Sequence, residues 1–202
     1  MDEILAGYAV AATPELIARF EALSSREVYA PILNLLPTTP VSVADIGAGT
    51  GRDAMWFAAQ GHRVLAVEPV KELREAGIAL HDCPMIEWLD DRLPQLVETR
   101  ARGPFDLVTL SAVWQHLDDN ARQLAMPNLE QITVPGGMVI MSLRHGPGAP
   151  GRRVFPVSPE ESIYAARRSG FQLLLRSEAN SIQAENQASG VRWTWLVLKK
   201  VC

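Results

Sequence analysis

The feature that most constrains the fold is a glycine-rich run between two apolar segments. Residues 43–53 read VADIGAGTGRD, and residues 64–67 form a second apolar run, VLAV. Because glycine lacks a Cβ, the alternating glycines permit a tight turn and a close backbone approach to a ligand. Short apolar runs that flank such a turn and a helical stretch indicate parallel strands joined by a crossover helix. The run therefore predicts an α/β fold.

Two acids stand at the ends of these predicted strands. Asp45 precedes the first glycine by two positions, and Glu68 follows the second apolar run, 23 residues after Asp45. In a strand–helix–strand unit, an acid near that spacing hydrogen-bonds ribose hydroxyls. A helix that begins after the glycines adds free N–H donors and a partly positive field. The combination indicates a nucleoside-bearing cofactor; the alternative is a glycine-rich turn that binds nothing.

The third glycine bears on which cofactor is bound. The dinucleotide fingerprint G-x-G-x-x-G requires glycine at position 52, where the chain has Arg52. The spacing present is G-x-G-x-G, which counts against a nicotinamide cofactor. A nicotinamide-dependent Rossmann oxidoreductase stays open as an alternative, because the glycine loop and Glu68 suit it too. A non-catalytic regulatory protein that binds the cofactor is the third hypothesis.

Composition narrows the class of protein. The chain has 202 residues, 48% of them hydrophobic and 21% charged, as expected for one globular domain over residues 1–202. A net charge of −4 argues against a nucleic-acid partner. No apolar run approaches the roughly 18 residues of a membrane span, and residues 1–5 lack the basic start of a signal peptide. Two cysteines, Cys83 and Cys202, favour reduced thiols, a cytoplasmic location and no metal site.

Beyond residue 40, apolar runs alternate with helical stretches, which is typical of a parallel sheet covered on both faces. We predict a Rossmann-like doubly wound sheet of seven strands, mostly parallel with an antiparallel last strand, because no helix separates the final two strands. The predicted strands cover 41–46, 63–67, 85–89, 105–111, 138–143, 171–176 and 193–199. The predicted helices cover 52–60, 71–80, 93–100, 120–132 and 159–168, with Pro127 as an interruption. Residues 1–40, with a helix start at Thr13-Pro14, are predicted to form an N-terminal helical cap on a 41–202 core.

Three motifs resemble a known enzyme family. They are the glycine run, FDLVTLS at 105–111 and Pro135-Gly136-Gly137 as a turn before the fifth predicted strand. Together they resemble the class I S-adenosylmethionine-dependent methyltransferases over residues 41–200. SAVWQHL at 111–117 and LRHGP at 143–147 resemble the small bacterial, small-molecule type. The resemblance implies S-adenosyl-L-methionine as cofactor and transfer of a methyl group to a small-molecule acceptor by in-line displacement.

The resemblance also implies the cofactor-binding residues. Asp45 is expected to orient the glycine loop or the methionine amino group, Glu68 to accept hydrogen bonds from both ribose hydroxyls, and Asp90 to meet the adenine amino group. The implied set is Asp45, Gly47, Ala48, Gly49, Gly51, Arg52, Glu68, Pro69, Leu89, Asp90, Ser111 and Ala112.

Methyl transfer needs mainly in-line positioning, and it needs a general base when the nucleophile must lose a proton. His116, past the end of the fourth predicted strand, is the candidate base, and packing at a helix start is the alternative interpretation. The candidate substrate-binding residues are Tyr8, Trp114, Arg144 and His145. Tyr8 is expected either to belong to a lid over the cofactor or to be exposed, and Trp114 either to line the substrate pocket or to fill the core. Arg144 is expected either to bind an anionic group of the substrate or to form a structural ion pair. We expect a monomer or a homodimer.

Overall fold

The computed structural model describes residues 2–201, so Cys202 lies outside the described residues. It contains a seven-stranded sheet in the order β3-β2-β1-β4-β5-β7-β6. The strands are β1 (Ser42–Ile46), β2 (Arg63–Val67), β3 (Ile86–Leu89), β4 (Phe105–Leu110), β5 (Thr133–His145), β6 (Phe171–Asn180) and β7 (Arg192–Lys200). The first five strands pair in parallel, and β7 runs antiparallel to both β5 and β6. The predicted sheet, with its antiparallel last strand, is confirmed.

Helices cover both faces of the sheet. They are α1 (Asp2–Ala11), α2 (Pro14–Glu21), α3 (Ser25–Val28), α4 (Arg52–Ala58), α5 (Lys71–Leu80), α6 (Val97–Arg100), α7 (Asp119–Gln131), α8 (Pro159–Arg168) and α9 (Ala184–Ala188), with 3₁₀ turns at Ala30–Leu35 and Trp114–His116. The predicted helix start at Thr13-Pro14 is confirmed, because the Thr13 hydroxyl accepts a hydrogen bond from the N–H of Leu16 and Pro14 occupies the first turn. In the part of the chain that the structure describes, every helix is too short or too polar to cross a bilayer.

The core forms two layers, one on each face of the sheet. Alternate strand residues point to opposite faces, so Val139 packs in one buried cluster and its neighbour Ile140 packs in the other. Because both faces are covered, the central strands are mostly apolar, as is usual in parallel sheets. Tyr29 and Ile32, which follow α3, are fully buried in the second cluster against Phe57 of α4. This packing holds the N-terminal segment against the sheet.

Local predictions failed where backbone conformation overrides the pattern. The helix predicted over 93–100 shrinks to α6, because Leu96 adopts φ +48°, a left-handed conformation that a right-handed helix cannot contain. The Pro135–Gly137 segment does not form a turn before the fifth strand. It lies inside β5, opposite a shift of register in β4, with Gly136 at φ +78°. Between the pairs Phe105–Thr133 and Leu107–Met138, β5 carries three more residues than β4, and glycine at positive φ suits this irregular stretch. Helix α7 continues through Pro127.

Candidate functional site

A cavity of about 530 Å³ lies at the carboxyl ends of the parallel strands. That volume falls within the range of about 300–1,000 Å³ that is usual for small-molecule sites. The residues after β1, β2 and β4 form its floor, while α1, α2 and the irregular loop 146–157 cover it. The chain leaves β1 toward β2 on one side and β4 lies on the other, so the cavity sits where the strand order reverses. Ligands of open α/β sheets bind at this place.

The glycine loop shapes one end of the cavity. Gly47, Gly49 and Gly51 have φ values of +73°, +60° and +83°, a conformation that side chains disfavour. A Cβ on Gly49 would meet no atom within 4 Å, whereas a Cβ on Gly51 would lie 2.6 Å from the ring of Trp88. Gly49 therefore borders open space, and Gly51 instead makes room for a packed tryptophan.

Glu68 is the buried acid beside this loop, with 5% of its surface exposed. Its Oε2 accepts the N–H of Gly49 at 2.7 Å and its Oε1 accepts the N–H of Val70 at 2.8 Å. Burial raises the pKa of Glu68 to about 6, and these two N–H bonds oppose the increase. A carboxylate has about four acceptor positions. Glu68 thus keeps lone pairs for hydroxyl donors in the cavity.

Asp45 is a second buried acid at the end of β1, 2% exposed. The hydroxyl of Thr109 donates to its Oδ1 at 2.8 Å, and its Oδ2 is buried without a partner among residues 2–201. Burial raises the pKa of Asp45 to about 7, and the nearby charge of Asp53 acts in the same direction. An orphaned buried oxygen on a cavity wall calls for a donor from a ligand.

Arg52 joins the loop to the N-terminal helices. Its Nε and Nη2 each donate to the carboxylate of Asp53 at 2.8 Å, and its Nη1 donates to the carbonyl of Phe20 in α2 at 3.3 Å. Ser25 donates its hydroxyl to the same carboxylate at 2.7 Å. Arg52 therefore holds α2, and its partner Asp53 holds α3, over the cavity.

Tyr8 and His116 meet at the other end of the cavity, although they are 108 residues apart in sequence. The phenol oxygen lies 2.9 Å from Nε2 of His116, and Nδ1 of His116 lies 2.8 Å from the carbonyl oxygen of Arg153. A carbonyl only accepts, so Nδ1 carries the proton and Nε2 accepts the Tyr8 hydroxyl. Burial lowers the pKa of His116 and raises that of Tyr8. The imidazole is therefore neutral at physiological pH, with its basic nitrogen toward the tyrosine.

Comparison with known proteins agrees with this geometry. Residues 43–137, which include the glycine loop, Glu68 and β4, match the protein family described as a methyltransferase domain. Residues 43–137 of the chain therefore resemble a methyltransferase domain. An uncharacterized methyltransferase of Oceanobacillus iheyensis is 27% identical over 154 residues, which cover 73% of this chain and 65% of that protein. The chain thus spans less than two thirds of the length of this relative.

Solved structures of several methyltransferases share the fold of this chain. The 1,6-didemethyltoxoflavin-N1-methyltransferase of Burkholderia thailandensis, crystallised with S-adenosylhomocysteine, superposes with a TM-score of 0.69 at 21% identity, covering 88% of this chain and 78% of that one. The N-methyltransferase NodS of Bradyrhizobium japonicum gives 0.68 at 16% identity, covering 88% and 97%. The magnesium protoporphyrin IX methyltransferase of Synechocystis, with bound SAM, gives 0.66 at 13% identity, covering 96% and 80%.

Most of the predicted site residues border the cavity. They are Tyr8, Asp45, Gly47, Ala48, Gly49, Arg52, Glu68, Pro69, Ser111, Ala112, His116 and Arg144. Five lie elsewhere: Gly51, Leu89, Asp90, Trp114 and His145. Leu89 packs in the core, and Trp114 is 1% exposed with its indole N–H donating to Ser162 at 3.2 Å. His145 follows Arg144 in β5 and therefore faces the other side, where its Nε2 contacts the hydroxyl of Thr194 at 2.8 Å.

The acid that borders the cavity after β3 is Asp91, whereas the spacing in the sequence indicates Asp90. The Asp90 carboxylate is exposed and pairs with Arg74 at 2.9 Å, whereas its neighbour Asp91 borders the cavity. Asp91 accepts hydrogen bonds from the N–H and hydroxyl of Thr99 at 2.7 and 2.8 Å, which fixes its orientation. The site residues predicted from the sequence did not include Arg152, although Arg144, Arg152 and Arg153 together allow a negatively charged acceptor.

Proposed function

We propose that the protein transfers a methyl group from S-adenosyl-L-methionine to a small-molecule acceptor. The observation that carries the proposal is the buried carboxylate of Glu68, held by the glycine loop with free lone pairs toward the cavity. The two adjacent hydroxyls of a ribose suit such an acceptor, and charge-assisted hydrogen bonds of this kind are among the stronger ones.

Other residues around the cavity also fit the remaining parts of this cofactor. The orphaned Oδ2 of Asp45 offers an acceptor to the methionine ammonium group, and the open space beside Gly49 admits close approach. Asp91 is better placed than Asp90 to meet the adenine amino group, because Asp91 borders the cavity. When bound, the cofactor supplies an activated methyl group on a sulfonium. The chain then has to position the acceptor's nucleophile in line with it.

Tyr8 and His116 can take the proton that an O–H, N–H or S–H acceptor must lose. The hydroxyl of Tyr8 already points at Nε2 of His116, so its phenol oxygen is left to accept a hydrogen bond from the acceptor. As the nucleophile attacks, its proton passes to the Tyr8 oxygen and the Tyr8 proton passes to Nε2 of His116. The Nδ1–H bond to the Arg153 carbonyl then stabilises the imidazolium.

The same proposal covers domain organisation, partners and location. We propose that the chain acts as one domain in which residues 1–40 form the cap. In this proposal it works as a cytoplasmic monomer or homodimer without a nucleic-acid partner. The net charge of −4 supports the last point, since nucleic-acid binders usually carry a basic face.

Calorimetry tests the proposed cofactor. We expect the protein to bind S-adenosylmethionine and S-adenosylhomocysteine, and Glu68→Gln to weaken both by at least tenfold, since about 1.4 kcal/mol corresponds to that factor. Glu72→Gln, at an exposed position in α5, is the matched control and should bind as the wild type does. Absence of binding at millimolar cofactor, or saturable binding of reduced nicotinamide cofactor instead, would contradict the proposal. If cofactor binds but no acceptor in a screen yields demethylated product, the non-catalytic alternative is favoured.

A further inference from the structure

The arginines that border the cavity fall into two groups. Three of them form ion pairs within 4 Å: Arg19 with Glu185, Arg52 with Asp53, and Arg92 with Asp2. The other two, Arg144 and Arg152, have no carboxylate within that distance anywhere in residues 2–201. A partly buried charge without a counterion is costly, so a ligand of opposite charge would offset that cost.

Arg144 is fixed in place by neutral groups. Its Nε and Nη2 donate to the carbonyl of Pro147 at 3.2 and 2.9 Å, and Nη2 also reaches the amide oxygen of Asn186 at 3.3 Å. Its guanidinium carbon lies 5.5 Å from the centre of the Trp193 ring. These contacts orient the guanidinium and leave its charge uncompensated, and Nη1 keeps its N–H donors.

Arg152 brings a second uncompensated guanidinium from the covering loop. Its Nε is buried and lacks a hydrogen-bond partner among the described residues, and its guanidinium carbon lies 5.4 Å from the centre of the Tyr8 ring. The neighbouring Gly151 packs directly on Gly7 of α1, where an added Cβ would lie 1.8 Å from the Gly151 carbonyl oxygen. The loop and α1 therefore hold Arg152 beside the Tyr8–His116 pair.

The acids and the arginines that lack an ion-pair partner come from different strands along the edge of the sheet. Asp45 lies near the end of β1 and Glu68 directly follows β2, whereas Arg144 lies near the end of β5. Strand β5 is three strand spacings from β2, or roughly 14 Å along the sheet edge. The charges of Arg144 and Arg152 both lower the pKa of His116, as expected if both face the space around it. A cationic methyl donor suits the acids, and an anion suits the arginines.

We propose that the methyl acceptor carries an anionic group, a carboxylate or a phosphate, that binds between Arg144 and Arg152. Guanidinium groups match such oxyanions with paired N–H donors. The group would hold the acceptor with its nucleophile toward Tyr8 and His116. This inference rests on the proposed methyltransferase function, because it assigns Asp45 and Glu68 to the cofactor.

The test uses protein saturated with S-adenosylhomocysteine, so that the cofactor's own carboxylate site is filled. Benzoate, phenyl phosphate and the neutral benzamide are titrated by calorimetry at low ionic strength, where charge pairs are least screened. We expect at least one anion to bind tenfold or more tightly than benzamide, and the tighter anion identifies the oxyanion class. Arg144→Gln and Arg152→Gln should each remove most of this preference, while Arg19→Gln, a cavity arginine with an ion-pair partner, should keep it.

Two results would overturn the inference. One is equal affinity of the wild type for benzamide and both anions. The other is that Arg144→Gln and Arg152→Gln weaken S-adenosylhomocysteine instead of the anions, since these arginines would then hold the cofactor's carboxylate. Failure of the proposed function looks different, because the wild type would then not bind S-adenosylhomocysteine at all. Circular dichroism of each variant confirms that it is folded before it is titrated.

Discussion

Glu68→Gln should make the ligand-free protein more stable at neutral pH while it weakens cofactor binding. In the folded chain the pKa of Glu68 is raised from 4.5 to about 6, with burial as the main cause. A raised pKa means that folding favours the protonated form, so the stability linked to it is present below pH 4.5 and lost as the pH rises through about 6. The shift corresponds to about 2 kcal/mol at neutral pH.

Replacing the carboxylate by an amide removes the cost of burying a charge, but it also removes one hydrogen bond. Glutamine carries no charge, so it avoids the cost of about 2 kcal/mol that the wild type carries above its folded pKa. Its oxygen can accept only from Gly49 or Val70, and its NH₂ then faces the remaining N–H, which costs about 1 kcal/mol. We therefore expect the variant to be less stable than the wild type by about 1 kcal/mol near pH 4.5 and more stable by a similar amount near pH 7.

Urea unfolding of the ligand-free variant and wild type at several pH values measures this change in relative stability. The quantity to plot is the difference in unfolding free energy between variant and wild type, which should change by about 2 kcal/mol over that interval. Glu72→Gln, whose side chain is exposed, should give a flat line. A flat line for Glu68→Gln would refute the argument, because it would mean that the folded environment does not disfavour the carboxylate.

Three further predictions concern other parts of the site. Asp45→Asn should raise the unfolding midpoint of the ligand-free protein near pH 8, and the gain should fade as the pH drops below about 7, since burial raises the pKa of Asp45 to about that value. Gly7→Ala should favour the helical conformation of α1, but the added Cβ would clash with Gly151. Because this contact holds Arg152 beside Tyr8, turnover should fall tenfold or more, while the cofactor affinity measured by calorimetry stays nearly unchanged. Trp114→Phe loses the bond to Ser162 and should lower the unfolding free energy by about 1–2 kcal/mol without altering the KM for acceptor.

The parts of the fold that follow a regular pattern could be predicted from the sequence. Each central strand is a short apolar run bounded by turn residues, so β1, β2 and β4 were placed within a residue or two. Their carboxyl ends share one edge of the sheet, which brought Asp45 and Glu68 to one cavity. Both inferences depend only on neighbouring residues and on the handedness of parallel connections.

The choice between Asp90 and Asp91 shows where such reasoning fails. Both acids follow β3, and spacing cannot say which one turns toward the cavity. In the structure, the exposed Asp90 pairs with Arg74, whereas Asp91, which borders the cavity, accepts hydrogen bonds from Thr99. The two partners come from α5 and from α6, on either side of β3 in sequence. The answer therefore depends on how these helices pack, which no local pattern encodes.

The acceptor end of the cavity consists of the segments that are least regular in sequence. Helix α1 and loop 146–157 carry Tyr8 and Arg152, and neither segment pairs with the sheet, so neither is tied to a strand register. Such segments can change without disturbing the core, and specificity in α/β enzymes resides in them for that reason. The cofactor end, in contrast, is fixed by β1 and β2. It follows that the sequence pattern indicates the methyl donor, whereas the place proposed for an anionic group of the acceptor depends on the fold, which brings the unpaired Arg144 and Arg152 to one cavity.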